Sequence, residues 1–168
     1  MDVEIEAISR RNDLLRDDFD VAVRAGLLSG GALIARRLAE VSVGLFASPS
    51  YLARHDAPTA RTLASHAMVG LVGQSLATTD YGSGPLRRQR LSTNDPLLIK
   101  GFVLDGFALG WLPLYLCRAE IAEGRLIRCL PERTISGPEV FALFHGRPEA
   151  PVKVRAFVDF LVTELALR

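Results

Sequence analysis

The residues with the clearest binding chemistry stand at positions 94–96, which read NDP and open an apolar run. Asp is a common residue at a helix N-cap, and Pro is favoured at the first helical position. This pattern predicts a helix over residues 96–105 with Asp95 as its cap. The preceding RLST, residues 90–93, is typical of a strand. The helix would therefore begin at the carboxyl end of a strand, where open α/β sheets bind their ligands.

The first turn of this predicted helix has backbone groups to offer a ligand. The N–H groups of Leu97 and Leu98 would have no partner inside the helix and would point outward at the positive end of its dipole. An anion or a carboxylate could dock there without any catalytic residue. A helix start with no ligand is an equally good interpretation, because capping residues occur at every helix.

Arg24 is the second residue that raises the question of a ligand. In DVAVRAG, residues 20–26, it alternates with apolar residues near the end of a predicted strand. A buried arginine needs a partner. The partner is either an acid of the chain, such as Asp20 or Asp105, or an acidic ligand.

Motifs for catalysis or metal binding are not found in the sequence. It contains no phosphate-binding loop, no zinc-protease helix and no nucleophile elbow. The three histidines His55, His66 and His145 have no carboxylate or cysteine at ligand spacing, and Cys117 and Cys129 are not spaced as zinc ligands are. We therefore expect no catalytic residue, no metal, no cofactor and two buried, reduced thiols.

The composition narrows the class of protein. The chain has 168 residues, of which 49% are hydrophobic, and a net charge of +1. This length and composition suit one domain or two small interleaved lobes. The weak charge argues against direct contact with nucleic acid or a membrane surface. The N-terminus lacks the profile of a secretory signal, so we expect a cytoplasmic protein.

Hydrophobic periodicity predicts alternating strands and helices, which is typical of α/β layers with mainly parallel sheets. The predicted strands are residues 3–8, 20–25, 32–40, 41–48, 68–72, 107–113, 125–131 and 138–145. The predicted helices are residues 13–19, 49–55, 60–67, 96–105, 114–123 and 152–165, and residues 73–90 form a polar loop. The last helix carries one apolar stripe, made of Val154, Phe157, Val158, Leu161, Val162 and Leu165.

Three long sequence segments resemble the effector-binding domain of LysR-type transcriptional regulators. The first covers residues 19–66 and begins FDVAVRAG, with ARRLAE and ASPSYL after it. The second is STNDPLLIKGFVLDGFALGWLP, residues 92–113. The third is GRLIRCLPE followed by the helix VKVRAFVDFL. The resemblance extends from about residue 2 to the C-terminus.

The resemblance implies an α/β, type II periplasmic-binding-protein-like fold, with two lobes joined by two crossover strands. It assigns residues 1–41 and 137–168 to the first lobe and residues 42–136 to the second. A small-molecule effector, such as an organic acid, would bind in the cleft between the lobes, and the protein would not be an enzyme. The cleft positions carried over are Ser9, Arg24, Ala25, Gly26, Thr93, Asn94, Asp95, Phe107 and Pro113.

Two departures from the family pattern alter this expectation. Gly106-Phe107-Ala108 stands where the family has Gly-x-Gly, and Asp105 replaces a small residue, which bears on the shape and charge of the cleft. The resemblance also implies that the chain begins at the family's second strand, without the winged helix-turn-helix. An incomplete first lobe would expose apolar surface and recruit a partner, either a second copy or a full-length relative. The alternative function is thus a dimerisation module that binds no small ligand.

Overall fold

The computed structural model describes residues 2–7, 19–26, 33–72, 89–145 and 151–166. The strands are β1 Ala22–Ala25, β2 Leu33–Ala47, β3 Met68–Leu71, β4 Gln89–Thr93, β5 Leu109–Pro113, β6 Ile127–Cys129 and β7 Ile135–His145. The helices are α1 Pro49–Leu52, α2 Pro96–Leu104, α3 Leu114–Ala122 and α4 Val152–Ala166, and Leu63–Ser65 forms a 3₁₀ turn. The chain divides into two compact units, Met1–Ala39 with Pro138–Arg168 and Glu40–Gly137. Strands β2 and β7 each carry residues of both units.

The smaller unit is built on the antiparallel pair of β1 and β7, in which Arg24 lies opposite Phe141. Helix α4 covers this pair with the apolar stripe that the sequence predicts. Its Val154 and Val158 are buried against Leu38 and Ala142, and the other apolar residues that pack there are Val21, Val140, Phe144, Leu161, Val162 and Leu165. The periodicity of helix 152–165 is therefore confirmed.

The larger unit contains both parallel and antiparallel strand pairs. Strand β3 lies between β4 and β5 and is parallel to both. Helix α2 is the crossover connection that the parallel strands β4 and β5 require. Strand β2 pairs antiparallel with β5 and with β6, because it carries the chain into this unit in the opposite direction. The sheet is thus mixed rather than parallel throughout.

Both faces of this sheet are covered by apolar side chains. Successive residues of a strand point to opposite faces, and Leu45 and Phe46 of β2 accordingly belong to two different buried clusters. Met68 and Val69 of β3 divide in the same way, and all four side chains are at most 3% exposed. Burial on both faces explains why these strands read as continuous apolar runs in the sequence.

Several predicted elements differ from the structure. Residues 2–7 contain no strand, and Val3 and Ile5 are 51% and 84% exposed, so the strand prediction for residues 3–8 is wrong over its described part. The two segments 32–40 and 41–48 form one strand, and only a 3₁₀ turn occupies the predicted helix 60–67. Residues 13–18 of the predicted helix 13–19 and residues 73–88 of the predicted loop 73–90 lie outside the described residues, and Gln89 and Arg90 belong to β4 rather than to a loop.

The contact between α2 and β5 depends on a glycine. A Cβ at Gly110 would lie 2.7 Å from Cγ2 of Val103 and 2.9 Å from Cγ2 of Ile99, both on α2 and both buried. Real Cβ atoms do not approach other carbons so closely, so any larger residue at this position would push the helix away from the strand.

We expect Gly110→Ala to lower the free energy of unfolding by about 1–3 kcal/mol, because the added methyl overlaps two β-branched side chains. Gly101→Ala is the matched control, since a Cβ at Gly101 meets no atom within 4 Å. Removal of a helical glycine should raise stability by about 0.5–1 kcal/mol. Urea unfolding followed by circular dichroism measures both changes. A Gly110→Ala variant as stable as the wild type would contradict the close contact.

Candidate functional site

The predicted binding residues Thr93, Asn94 and Asp95 form one turn between β4 and α2. The Asp95 carboxylate caps the helix by accepting a hydrogen bond of 2.8 Å from the Leu97 N–H. The Asp95 N–H donates to Thr93 Oγ1 at 3.2 Å, and the Thr93 carbonyl accepts from the Val72 N–H at 2.9 Å. The predicted cap and helix start are therefore confirmed, and the turn is held from both sides.

This turn leaves fewer free backbone donors than the sequence predicts. The Leu97 N–H is taken by Asp95, so the expectation that it is free is wrong. The Leu98 N–H makes no hydrogen bond within the described residues. Asn94 is exposed, and Leu97 and Leu98 expose more than half of their surface. The tip of α2 therefore offers one backbone N–H and one carboxamide beside apolar side chains.

Pro113 and Phe107 lie at opposite edges of the sheet in the larger unit. Pro113 ends β5, Thr93 ends β4, and the carboxyl ends of parallel strands meet at one edge. Phe107 precedes β5 and follows the C-terminal end of α2. The helix is roughly 13 Å long at 1.5 Å per residue, and this length separates Phe107 from the turn at residues 93–95. The structure therefore brings Pro113, but not Phe107, to the edge that holds the tip of α2.

Arg24, Ala25 and Gly26 belong to the smaller unit. Gly26 has a φ of 96° and donates its N–H to the Glu139 carbonyl at 2.9 Å, which ends β1 in a turn that favours glycine. Arg24 is half-buried and has an interaction partner in the structure. The Asp20 carboxylate accepts a hydrogen bond of 2.9 Å from Lys153. Ser9 lies outside the described residues.

A cavity of about 760 Å³ opens in the larger unit, at the edge where β3, β4 and β5 begin. Its wall comprises α1 and the turn after it, the segment around His66, Arg90 at the start of β4, and Phe107. The volume is in the range of small-molecule sites, roughly 300–1,000 Å³. Of the predicted binding residues that the structure describes, only Phe107 lines this cavity.

A buried hydrogen bond joins two residues of this cavity wall. Tyr51 Oη and His66 Nδ1 are 3.0 Å apart, and the residues are 2% and 8% exposed. Burial raises the pKa of Tyr51, while a backbone hydrogen bond from Ala67 to the same hydroxyl acts in the opposite direction. Burial is also the main cause that lowers the pKa of His66, and His55 adds to the effect. Neutral forms of both side chains are therefore favoured.

Arg54 connects the cavity wall with the far end of α2. Its Nε donates to the Ser50 carbonyl at 3.0 Å, and its Nη2 donates to the Gly106 carbonyl at 2.6 Å. Gly106 has a φ of 73°, and a Cβ there would meet Ser50 Oγ and the Arg54 guanidinium. The guanidinium is thus held in one position by two backbone carbonyls.

Comparison with known proteins identifies the class of domain. The family model for the LysR substrate binding domain matches residues 1–166. The chain belongs to this family. The transcriptional regulator CrgA of Neisseria meningitidis serogroup C is 31% identical over 160 residues, which are 91% of this chain and 54% of that protein. PtxR of Pseudomonas aeruginosa is 31% identical over 95% of this chain and 53% of its own.

Solved structures agree with this assignment. The regulatory domain of CrgA from N. meningitidis superposes with a TM-score of 0.73 at 31% identity, over 87% of this chain and 75% of that one. The effector domain of AmpR from P. aeruginosa has a TM-score of 0.79 at 18% identity, over 95% and 78% of the two chains, and supports the fold alone. The predicted α/β, periplasmic-binding-protein-like fold is confirmed.

The LysR domain is a regulatory domain and not an enzyme, because the relatives it matches are transcriptional regulators. It spans about half of the length of these regulators. No helix in the described ranges is long and apolar enough to cross a membrane. Among the same residues, no group of three or more His, Cys, Asp or Glu side chains is placed to hold a metal ion.

A buried ion pair ties α2 to α3 in the LysR domain. Lys100 Nζ donates to Glu120 Oε1 at 2.7 Å and to the Leu116 carbonyl at 3.1 Å. The hydrogen bond from Lys100 is the main cause that lowers the pKa of Glu120.

The two cysteines are free and buried, as expected, and burial raises the pKa of Cys117 to about 12 and that of Cys129 to about 11. These thiols are poor nucleophiles.

The cavity wall of the LysR domain is the feature that sequence reasoning missed. Spacing along the chain gives His66 no partner, whereas in the structure it bonds Tyr51, which is 15 residues away. One local signal was available, because ASPSYL predicts a helix start that fixes the position of Tyr51. The Ser48 side chain caps α1 by accepting from the Tyr51 N–H at 3.3 Å.

The lowered pKa of His66 predicts a pH dependence of stability. Unfolded histidine binds a proton as the pH falls below its ordinary pKa of 6.5, whereas folded His66 resists protonation. Its contribution is therefore present above pH 6.5 and is lost as the pH falls. We expect the free energy of unfolding to decrease from about pH 7.5 to about pH 5.5, and to decrease less in His66→Gln.

His145→Gln is the control for this measurement, because His145 is exposed and the substitution makes the same change in composition. Its free energy of unfolding, measured in urea at each pH, should keep the wild-type slope. A His66→Gln slope equal to that of the wild type would show that His66 is not the group responsible.

Proposed function

We propose that this domain senses a small carboxylate effector at the edge of the larger unit where α2 begins. The effector would contact Thr93, Asn94, Asp95 and Pro113. The observation that carries the proposal is the capped turn at the tip of α2, with one unbonded N–H at the carboxyl end of a parallel strand. Ligands of open α/β sheets bind at such ends.

The chemistry of the turn favours an anionic group. The Asp95 carboxylate is already engaged as a cap, so the positive end of the helix dipole and the Leu98 N–H face outward. The Asn94 carboxamide can donate a further hydrogen bond to a carboxylate. The exposed Leu97 and Leu98 side chains suit an apolar part of the same effector.

Arg24, Ala25 and Gly26 of the smaller unit are proposed as a second set of effector contacts. This assignment rests on the family resemblance alone. A guanidinium binds a carboxylate with two parallel hydrogen bonds, which makes Arg24 the natural anchor for an acid. Phe107 is not included in this site, because it precedes β5 at the opposite edge of the larger unit.

Regulation would follow from a preference of the effector for one arrangement of the full-length protein. Such coupling amounts to about 1–3 kcal/mol in typical allosteric proteins. No chemical step is required. In the full-length regulator the effector would change the position of the DNA-binding domains, while this domain makes no direct contact with nucleic acid.

Calorimetric titration with a panel of carboxylic acids tests the effector site. We expect Arg24→Ala and Asn94→Ala each to weaken binding about tenfold, the loss that follows removal of a hydrogen bond to a charged group. Arg36→Ala is the matched control, because Arg36 is an exposed arginine of the same unit as Arg24. Equal affinity of all variants would exclude both residues as contacts.

A role in assembly is a second candidate function. Helix α4 exposes 83% of Val152 and 57% of Phe160, and α3 exposes 56% of Tyr115. Exposed apolar side chains are typical of surfaces that bind partners. The proposed partner is a second copy or a full-length relative.

We expect light scattering at micromolar concentration to give at least twice the monomer mass of 18.3 kDa. Assembly without affinity for any acid would favour the interaction module over the sensor. A measured mass equal to that of the monomer would contradict assembly through these surfaces.

A further inference from the structure

We propose that the cavity between α1, His66 and Phe107 is a second binding site, specific for a small planar organic anion. It does not depend on the effector site proposed at the tip of α2. The two sites occupy opposite edges of the same sheet, and the five residues of β5 span about 17 Å at 3.3 Å per residue. They share no residue.

The first step of the argument is the charge of the cavity wall. Arg54 and Arg90 are two permanent cations on the wall, and among the described residues that line it Asp56 is the one acid. Arg54 uses Nε and Nη2 for backbone carbonyls, so three of its five N–H groups remain for a ligand. Because those carbonyls already hold the guanidinium, little side-chain entropy is lost when an anion binds.

The second step is the proton position on His66. The Tyr51 hydroxyl accepts from the Ala67 backbone and lies 3.0 Å from His66 Nδ1. With the Ala67 N–H donated to the phenol oxygen, donation of the phenol proton to Nδ1 gives both atoms of this buried hydrogen bond a partner. Neutral His66 then carries its own proton on Nε2, which makes no hydrogen bond within the described residues. The wall therefore presents a third donor that needs no charge.

The third step is the shape of the apolar wall. The Tyr51 and His55 rings are in contact, with centroids 4.5 Å apart, and Phe107 exposes 44% of its surface. Aromatic side chains bind other aromatic rings in offset-stacked or edge-to-face arrangements. Cationic donors beside flat apolar surfaces match a planar body that bears a carboxylate, for which benzoate is the simplest probe.

Benzoate binding is measured by calorimetry and by NMR of the His66 side chain and the Ala67 amide. We expect these signals to shift on titration, and Arg90→Gln to weaken binding at least tenfold. Arg61→Gln is the matched control, an exposed arginine that does not line the cavity. Tyr51→Phe should weaken benzoate binding. It should also remove the hydrogen bond that keeps the His66 proton on Nε2, and the ¹⁵N shifts of the His66 ring report that change.

Two further probes define the ligand class. Neutral benzamide should bind more weakly than benzoate if the anion matters, and inorganic phosphate more weakly if the planar body matters. Equal affinity for either probe would overturn that part of the assignment. Absence of shifts at about 10 mM benzoate, or unchanged affinity in Arg90→Gln, would overturn the site. Arg24→Ala should leave the His66 shifts intact, which separates this site from the effector site.

Discussion

The close seating of α2 on β5 is the constraint on which the larger unit depends. Ile99 and Val103 reach the strand only because Gly110 has no side chain between their methyl groups. The distance of the helix from the sheet sets the position of both helix ends. At one end stands the turn around Asp95, and at the other the left-handed Gly106 that precedes Phe107. Each end borders one of the two proposed sites.

Two polar contacts add to the apolar contact, one at the middle of α2 and one just beyond its C-terminal end. Lys100 joins it to Glu120 of α3, and the Gly106 carbonyl accepts from Arg54 beyond α1. Glu120 is 8% exposed and its Oε2 has no hydrogen-bond partner within the described residues. A buried pair of this kind contributes little net stability, because desolvation offsets much of the attraction.

Helix α2 runs from one proposed site to the other and so connects them physically. An anion at Arg54 would bind through the N–H groups that the Ser50 and Gly106 carbonyls leave free, so it would act on a guanidinium that is already bonded to the turn after α2. Helix α2 spans nine residues between that turn and Asp95, so a shift of the turn would displace the helix start as well. This connection would make the second site a modulator of effector affinity rather than a duplicate of the effector site.

The sequence by itself determined the elements whose signals are local. Each of these signals depends on residues within a few positions of one another. They are the helix caps at Ser48 and Asp95, the apolar stripe of α4 and the apolar runs of the strands buried on both faces. The sequence segments shared with LysR-type regulators are local in the same way. The prediction for residues 3–8 failed because alternation alone cannot supply a neighbouring strand.

Only the tertiary structure decided which of these residues meet. Strand pairing places Pro113 at the same edge of the sheet as Thr93, and Phe107 at the opposite edge. The fold also brings Tyr51 into contact with His66, and Arg54 into contact with Gly106. These partners are separated by 15 and 52 residues along the chain. Hydrophobic periodicity in the sequence cannot predict such contacts. They depend on the register of the strands and on how a helix packs on the sheet, and not on the spacing of residues along the chain.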